Sequence, residues 1–204
     1  MPGQGSEFCK SGVERSLYRA GMTETQHRIA ESLDRQFAEM GFATQGVEAL
    51  RAGADVSLRT LYKYFPSREA MVVGALDYRD QAYSDWIAGG PGQGAAHVLY
   101  PLVRLGGWLE QVSSTGCLFL NALAAYPDSD AIRQAVEGHK ARLQAQFRAR
   151  LLHTAPECDA EALSAALFLL HEGLTEAARF HGPKAAAATA LRSGKTILLA
   201  AGIE

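Results

Sequence analysis

The stretch "DVSLRTLYKYFPSRE", Asp55 to Glu69, carries Arg59, Lys63, Arg68, a threonine and two tyrosines, with no acidic residue between its first and last positions. The chain as a whole leans the other way: across 204 residues, 20 Lys and Arg face 22 Asp and Glu, a formal net charge of −2. Such a molecule has no general attraction for nucleic acid or anionic membranes, so any affinity for a polyanion has to be local. Ser57 is placed to cap a short helix in which Val56, Leu61 and Phe65 turn inward. Arg59, Thr60, Tyr62, Lys63 and Tyr64 then stay outside, and Pro66 ends the helix.

Upstream, Thr23 and Gln26 form a capping pair, after which Ile29, Leu33, Phe37 and Met40 recur at helical spacing until Gly41. A second short helical piece, Val47 to Ala54, stops at Asp55. Downstream, Ser67 caps a longer helix running to about Trp86, and "GGPGQG", Gly89 to Gly94, reads as a linker. Further helices are expected at about 95–113, 117–126, 128–154, 159–181 and 184–201, separated by "SSTG", "YPDS", "TAPE" and "HGP". No window alternates with the period of a sheet, so the expected fold class is all-α. Residues 1–22 mix Gly, Ser and charge without a sustained period and are expected to form a flexible arm.

Two short helices joined by a tight turn, with a longer helix in front, are the arrangement that presents one helix to the DNA major groove. The start of the second helix supplies backbone N–H groups and the positive end of the helix dipole, both suited to phosphate. Residues 23–68 carry six basic and six acidic side chains, yet Arg59 to Arg68 carry three basic and none acidic. The positive charge is concentrated where phosphates would lie.

The run "GFATQGVEALRAGADVSLRTLYKYFPSREAM" closely resembles the N-terminal helix-turn-helix of the tetracycline-repressor (TetR) family of transcriptional regulators. The resemblance covers roughly Thr23 to Leu76 and is most specific over "VSLRTLYKYFPSRE". It implies that Ser57, Leu58, Arg59 and Thr60 face base edges or nearby phosphates, and that Tyr62, Lys63 and Tyr64 hold the DNA backbone. Arg68 matches the position of a family lysine that reaches a phosphate. The usual turn glycine is Asp55 here, a residue type that enters the left-handed region at modest cost. The cap of the second helix falls on Gln45, with Thr44 one place early and counted among the DNA-binding candidates. The resemblance divides the chain into the arm (1–22), a three-helix DNA-binding domain (23–68) and a helical ligand-binding and dimerisation domain (69–204).

Beyond Gly94 the resemblance is weaker, carried by "GCLFLNALAAYPDSDAI" and by "HEGLTEAARFHGPKAAAATALRSGKTILLAAG". It implies a homodimer through the last two helices, a palindromic double-stranded operator and a small-molecule effector. The small residues Ala185 to Ala188, Ala190, Gly194, Ala200 and Ala201 suit close helix approach, and Leu163, Leu167, Leu170 and Leu174 form an apolar stripe. These faces pack either across a subunit interface, with Gly194 in it, or into the chain's own core. Trp108, Cys117, Phe119, Asn121, Tyr126, Phe168 and His171 are the candidate ligand-binding residues, large apolar groups with few polar ones. No cluster of Arg or Lys stands out on an apolar face, so the expected effector is apolar or aromatic and not a sugar phosphate.

Competing chemistry is weak. "HEGLTE" places Thr175 where a zinc protease has its second histidine, and "GGPGQGAAH" fits neither a dinucleotide nor a P-loop pattern. Three separated cysteines, Cys9, Cys117 and Cys158, argue against a disulfide framework and for a reducing cytoplasm, and no apolar run approaches the roughly 20 residues of a membrane span. A lone Cys117 reads as a small apolar residue before it reads as a redox sensor. The expectation is a ligand-responsive repressor that is no enzyme and takes no cofactor or metal; the alternative is a helical small-molecule binding protein whose N-terminal helices do not read DNA.

Overall fold

A computed structural model describes residues 22–112 and 116–204, and among these there are ten helices and no strand. They are α1 (Glu24–Met40), α2 (Val47–Gly53), α3 (Leu58–Tyr64), α4 (Arg68–Trp86), α5 (Gly94–Val98), α6 (Tyr100–Gln111), α7 (Leu118–Ala125), α8 (Asp130–Thr154), α9 (Ala160–His181) and α10 (Pro183–Ala200). The expected arm, 1–22, lies outside the described residues except for Met22, which packs against the first core cluster. No described helix is long and apolar enough to cross a membrane.

The starts and stops follow local chemistry. Thr23 Oγ1 accepts from the Gln26 amide at 3.2 Å, Ser57 Oγ from Thr60 at 3.1 Å and Ser67 Oγ from Ala70 at 3.0 Å, each satisfying one of the amides a helix start leaves without a partner. Asp55, in the turn between α2 and α3, has φ 51°, the left-handed conformation expected of it. The end of α2 is bound to α1: Ser32 Oγ donates to the Gly53 carbonyl at 2.8 Å and Gln36 Nε2 to the Leu50 carbonyl at 3.2 Å. These side chains fix the angle at which α2, and hence α3, leaves α1.

The single helix expected over 95–113 is two. Pro101 has no N–H, so the His97 carbonyl one turn earlier lacks its intrahelical donor and the axis breaks at Leu99. Arg150 Nη1, from α8, donates to that carbonyl at 3.1 Å.

Two hydrophobic clusters form the interior. The first joins Leu33 and Phe37 of α1, Leu50 of α2, Leu61 of α3 and Leu76 of α4 to Leu118 and Phe119 of α7 and Ile132 of α8. The second, around Tyr83, Leu102, Trp108, Phe147, Leu167 and Leu198, fills the space between the later helices and the second half of α4. The interior of the first three helices therefore continues past position 68 through α4 into α7 and α8.

The direction of the small-residue face of α10 is a correction to the expectation for Gly194. Ala186, Ala190, Gly194 and Leu198 are buried in the chain's own interior, and a Cβ on Gly194 would stand 2.7 Å from Leu99 Cδ2 and 3.7 Å from Leu167 Cδ2. The outer faces of α9 and α10 instead form an open apolar groove of about 440 Å³, lined by Leu169, Gly173, Ala177, Ala185, Thr189 and Ser193 among others. Near it Phe180 is 79 % exposed, an unusual state for a phenylalanine.

Candidate nucleic-acid interface and interior cavity

Helix α3 turns Leu61 into the core, fully buried, and leaves Ser57, Leu58, Arg59, Tyr62 and Lys63 exposed, with Thr60 and Tyr64 half-buried. Arg59 and Lys63 make no ion pair among the described residues, and the Lys63 ammonium lies 5.2 Å from the Tyr64 ring centre. Ser57 and Thr60 hydroxyls are hydrogen-bonded to each other at 2.9 Å, which orders the first turn of the helix. The result is a capped helix start with two cations outside any ion pair among the described residues and several hydroxyls at the surface, a set chemically suited to phosphate and base edges.

Two candidates at the margin of this face hydrogen-bond to the protein's own backbone, Thr44 at the surface and Arg68 half-buried. Thr44 Oγ1 donates to the Met40 carbonyl at 2.6 Å, closing the end of α1, and α2 starts at Gly46 with no side-chain cap. Arg68 donates through Nη2 to the Phe42 carbonyl at 2.6 Å, through Nη1 to the Gln45 carbonyl, and through Nε to Tyr126 Oη at 3.1 Å. Its guanidinium also lies 5.3 Å from the Phe37 ring centre. Instead of standing free for a phosphate, Arg68 binds the α1–α2 loop to the end of α7.

The candidate ligand residues divide into two groups. Trp108, Cys117, Phe119 and His171 come together around one partly open cavity of about 40 Å³, with Leu105, Leu109 and Leu118 completing its apolar wall. Asn121 is exposed on α7, Tyr126 is packed against Phe42 in the α1–α2 loop, and Phe168 packs at the edge of the second cluster; none of the three lines the cavity. Helix α7 thus has Cys117 and Phe119 at the cavity and Tyr126 on Arg68 at its other end.

Sequence reading missed the polar wall: Arg79 and Tyr83 of α4, His139 and Lys140 of α8, Glu172 and Thr175 of α9. Tyr83 Oη and His171 Nε2 are 2.6 Å apart, His171 Nδ1 is 3.4 Å from Glu172, Lys140 Nζ donates to Glu172 at 2.5 Å and to Cys117 Sγ at 3.5 Å. His139 lies flat on Phe119, 3.7 Å between ring centres, and bonds Asp80 at 2.6 Å. Thr175 donates to the carbonyl of His171 within its own helix, and among the described residues no group of His, Cys, Asp or Glu has the arrangement of a metal site. The absence of a basic cluster noted in the sequence does not describe this cavity, because Arg79 and Lys140 reach it from different helices. A signal was present in Arg79, which sits among Met71, Val72, Leu76 and Tyr83 on the apolar side of α4.

These buried groups make the cavity acid-sensitive. Burial holds the His139 and His171 pKa values below the ordinary histidine value, despite the opposing contacts of Asp80 and Glu172. An unfolded chain takes up protons at these rings below about pH 6.5, the folded chain does not, and stability is lost as pH falls through that range. Burial pushes the Glu172 carboxyl up, but hydrogen bonds from His171 and Lys140 outweigh it and hold the pKa down to about 2. Its contribution is complete above the unfolded value of 4.5 and is lost between there and about 2. Melting temperatures measured across pH are therefore expected to fall from pH 7 to 5 and again below 4.5; a flat profile from 7 to 5 would contradict neutral, buried histidines.

Comparison with known proteins agrees with this geometry. The sequence pattern described as "Bacterial regulatory proteins, tetR family" matches residues 29–75. No curated protein matches the chain in sequence. Among solved structures, a TetR-family transcriptional regulator from Streptomyces coelicolor is similar over 94 % of this chain and 97 % of its own, with TM-score 0.78 and 22 % identity. A tetR transcriptional regulator from Streptomyces avermitilis is similar over 89 % and 100 %, TM-score 0.70 and 24 % identity. A TetR transcription regulator from Haloarcula marismortui is similar over 90 % and 100 %, TM-score 0.75 and 15 % identity.

Proposed function

We propose that this chain is a TetR-family transcriptional regulator, as the family pattern matched over residues 29–75 and the shared fold support, and that it acts as a repressor. It binds a palindromic operator as a homodimer and releases it when a small, largely apolar or aromatic molecule enters the cavity between α4 and α9. The observation that carries the DNA-reading part is α3, whose capped start exposes Ser57, Arg59, Tyr62 and Lys63 with no acid beside them. Ser57, Leu58, Arg59 and Thr60 read bases and nearby phosphates, and Tyr62, Lys63 and Tyr64 hold the backbone. Thr44 and Arg68 support that face from behind, through the bonds that close α1 and fix the α1–α2 loop.

The outer groove of α9 and α10 supports the dimer: it is apolar, open and flanked by the exposed Leu169 and Phe180. Trp108, Phe119, Cys117 and His171 supply the effector site, while Asn121, Tyr126 and Phe168 contribute to it only through the helices that carry them. Because a cavity of about 40 Å³ holds little more than a water molecule, an effector has to move its walls apart. That requirement links occupancy to the position of α4 and α7, both of which are bound to the DNA-binding domain.

The test is selection of duplexes from random DNA, followed by titration against salt. The selected site is expected to be an inverted repeat with half-site centres about one helical turn apart or slightly more. Lys63→Ala is expected to weaken all sequences alike and reduce the salt slope by about one, whereas Arg59→Ala also relaxes base preference by about 1–3 kcal/mol. A single unrepeated motif, or equal effects of the two substitutions on every sequence, would refute the assignment.

A further inference from the structure

Arg79 stands in the cavity wall and at the same time holds an acid of the DNA-binding domain. Its Nε and Nη2 bind Asp34 of α1 in bidentate fashion, at 2.5 and 3.0 Å, and both side chains are buried. Its guanidinium carbon is 5.8 Å from the ring of Trp108, another wall residue, and Trp108 packs edge-on against Tyr83 at 5.3 Å. Asp34 itself does not line the cavity, so the pair reaches from the cavity surface into the α1–α4 interface.

We propose that the effector is a small carboxylic acid with an apolar body, and that its carboxylate takes Arg79 from Asp34. This rests on the effector-cavity reading above. The apolar body is accommodated by Leu105, Trp108, Leu109 and Phe119, and the carboxylate finds the one guanidinium among them. Exchange leaves Asp34 as a buried carboxyl without its cation inside the interface that orients α1, α2 and α3, and a buried charge that loses its partner is strongly unfavourable. That interface must then rearrange or open, which changes the geometry of the reading helix. Burial already holds the Asp34 pKa above its ordinary value even with Arg79 in place, so the acid depends on this partner for its charge. A neutral molecule of the same shape leaves the pair intact and has no such lever on α1.

The proposal is tested with four probes of matched shape, benzoate and octanoate against benzamide and octanamide, titrated into the full chain and followed by the fluorescence of Trp86 and Trp108. Both acids are expected to bind at least tenfold more tightly than their amides, and Arg79→Gln is expected to abolish that preference. Asp34→Asn removes the competing carboxylate without touching the cavity, so it is expected to tighten acid binding tenfold or more and leave amide binding unchanged. Asp34→Ser serves the same purpose if the asparagine variant does not fold. Equal binding of acids and amides, absence of saturable acid binding, or unchanged acid affinity in both Asp34 variants overturns the proposal. Release of selected operator DNA by the amides as readily as by the acids also overturns it while leaving the effector cavity standing. Failure of the unliganded chain to bind any duplex, seen before a probe is added, defeats the underlying reading instead.

Discussion

Arg150→Ala is expected to cost about 4 kcal/mol of stability, seen as a lowered midpoint in urea. The Arg150 side chain is buried on α8, and its two Nη groups donate to backbone carbonyls, Ile87 at 2.8 Å, Gly89 at 3.1 Å and His97 at 3.1 Å, while Nε is buried without a hydrogen-bond partner. Two of these lie just past the end of α4, and the third is the carbonyl freed by Pro101, so one guanidinium binds the end of α4 and the α5–α6 break to α8. Removing it leaves the buried Ile87 carbonyl without its donor, at about 1–3 kcal/mol, takes charge-assisted bonds from the more accessible Gly89 and His97 carbonyls, and loses packing on Tyr100, whose ring centre is 5.6 Å away. Arg150→Lys is expected to recover less than half, because a single ammonium cannot reproduce the planar fork that spans both segments. A loss under about 1 kcal/mol for the alanine variant would mean that water satisfies these carbonyls.

Gly194→Arg is expected to abolish folding, yielding insoluble protein in place of a soluble monomer. A Cβ at this position already meets Leu99 at 2.7 Å and Leu102 at 3.6 Å, and a guanidinium there would be buried with no acid to pair it. The control is Thr189→Arg on the opposite, exposed face of α10, inside the outer groove. That variant is expected to keep the wild-type melting behaviour of the helical domain, to elute as a monomer, and to lose operator affinity. Were Gly194→Arg to fold and Thr189→Arg to remain a DNA-binding dimer, the assignment of the two faces would be reversed. Size-exclusion chromatography with light scattering and a DNA titration decides it.

Both predictions depend on contacts between residues distant in the chain, and this marks the limit of legibility. The caps at Thr23, Ser57 and Ser67, the left-handed Asp55 and the stop at Gly41 were legible because each depends on atoms within about four residues. The exposed cations of α3 were legible for a related reason: once Leu61 and Phe65 are assigned inward, helical spacing puts Arg59 and Lys63 outward. Pro101 offered a local sign of the break at Leu99, but the surrounding apolar pattern continued through it and read as one helix. In α10 small residues run round the helix, Ala185, Ala186, Thr189 and Ala190 reaching the outer groove and Gly194 the chain's interior, and periodicity does not say which meets the chain's own α6 and α9. The cavity draws its polar wall from α4, α8 and α9, so Arg79, Lys140 and Glu172 look like ordinary helix charges until the helices are assembled. Arg68 and Arg79 show the same thing most sharply. Their partners Tyr126 and Asp34 lie 58 and 45 residues away, and only packing decides whether a long cationic side chain faces solvent, a phosphate or a buried acceptor. Helix type, caps and the exposed basic face of α3 follow from short-range geometry and amphipathic spacing; which groups are buried together, and therefore which charges are committed, follows from the three-dimensional arrangement of the helices.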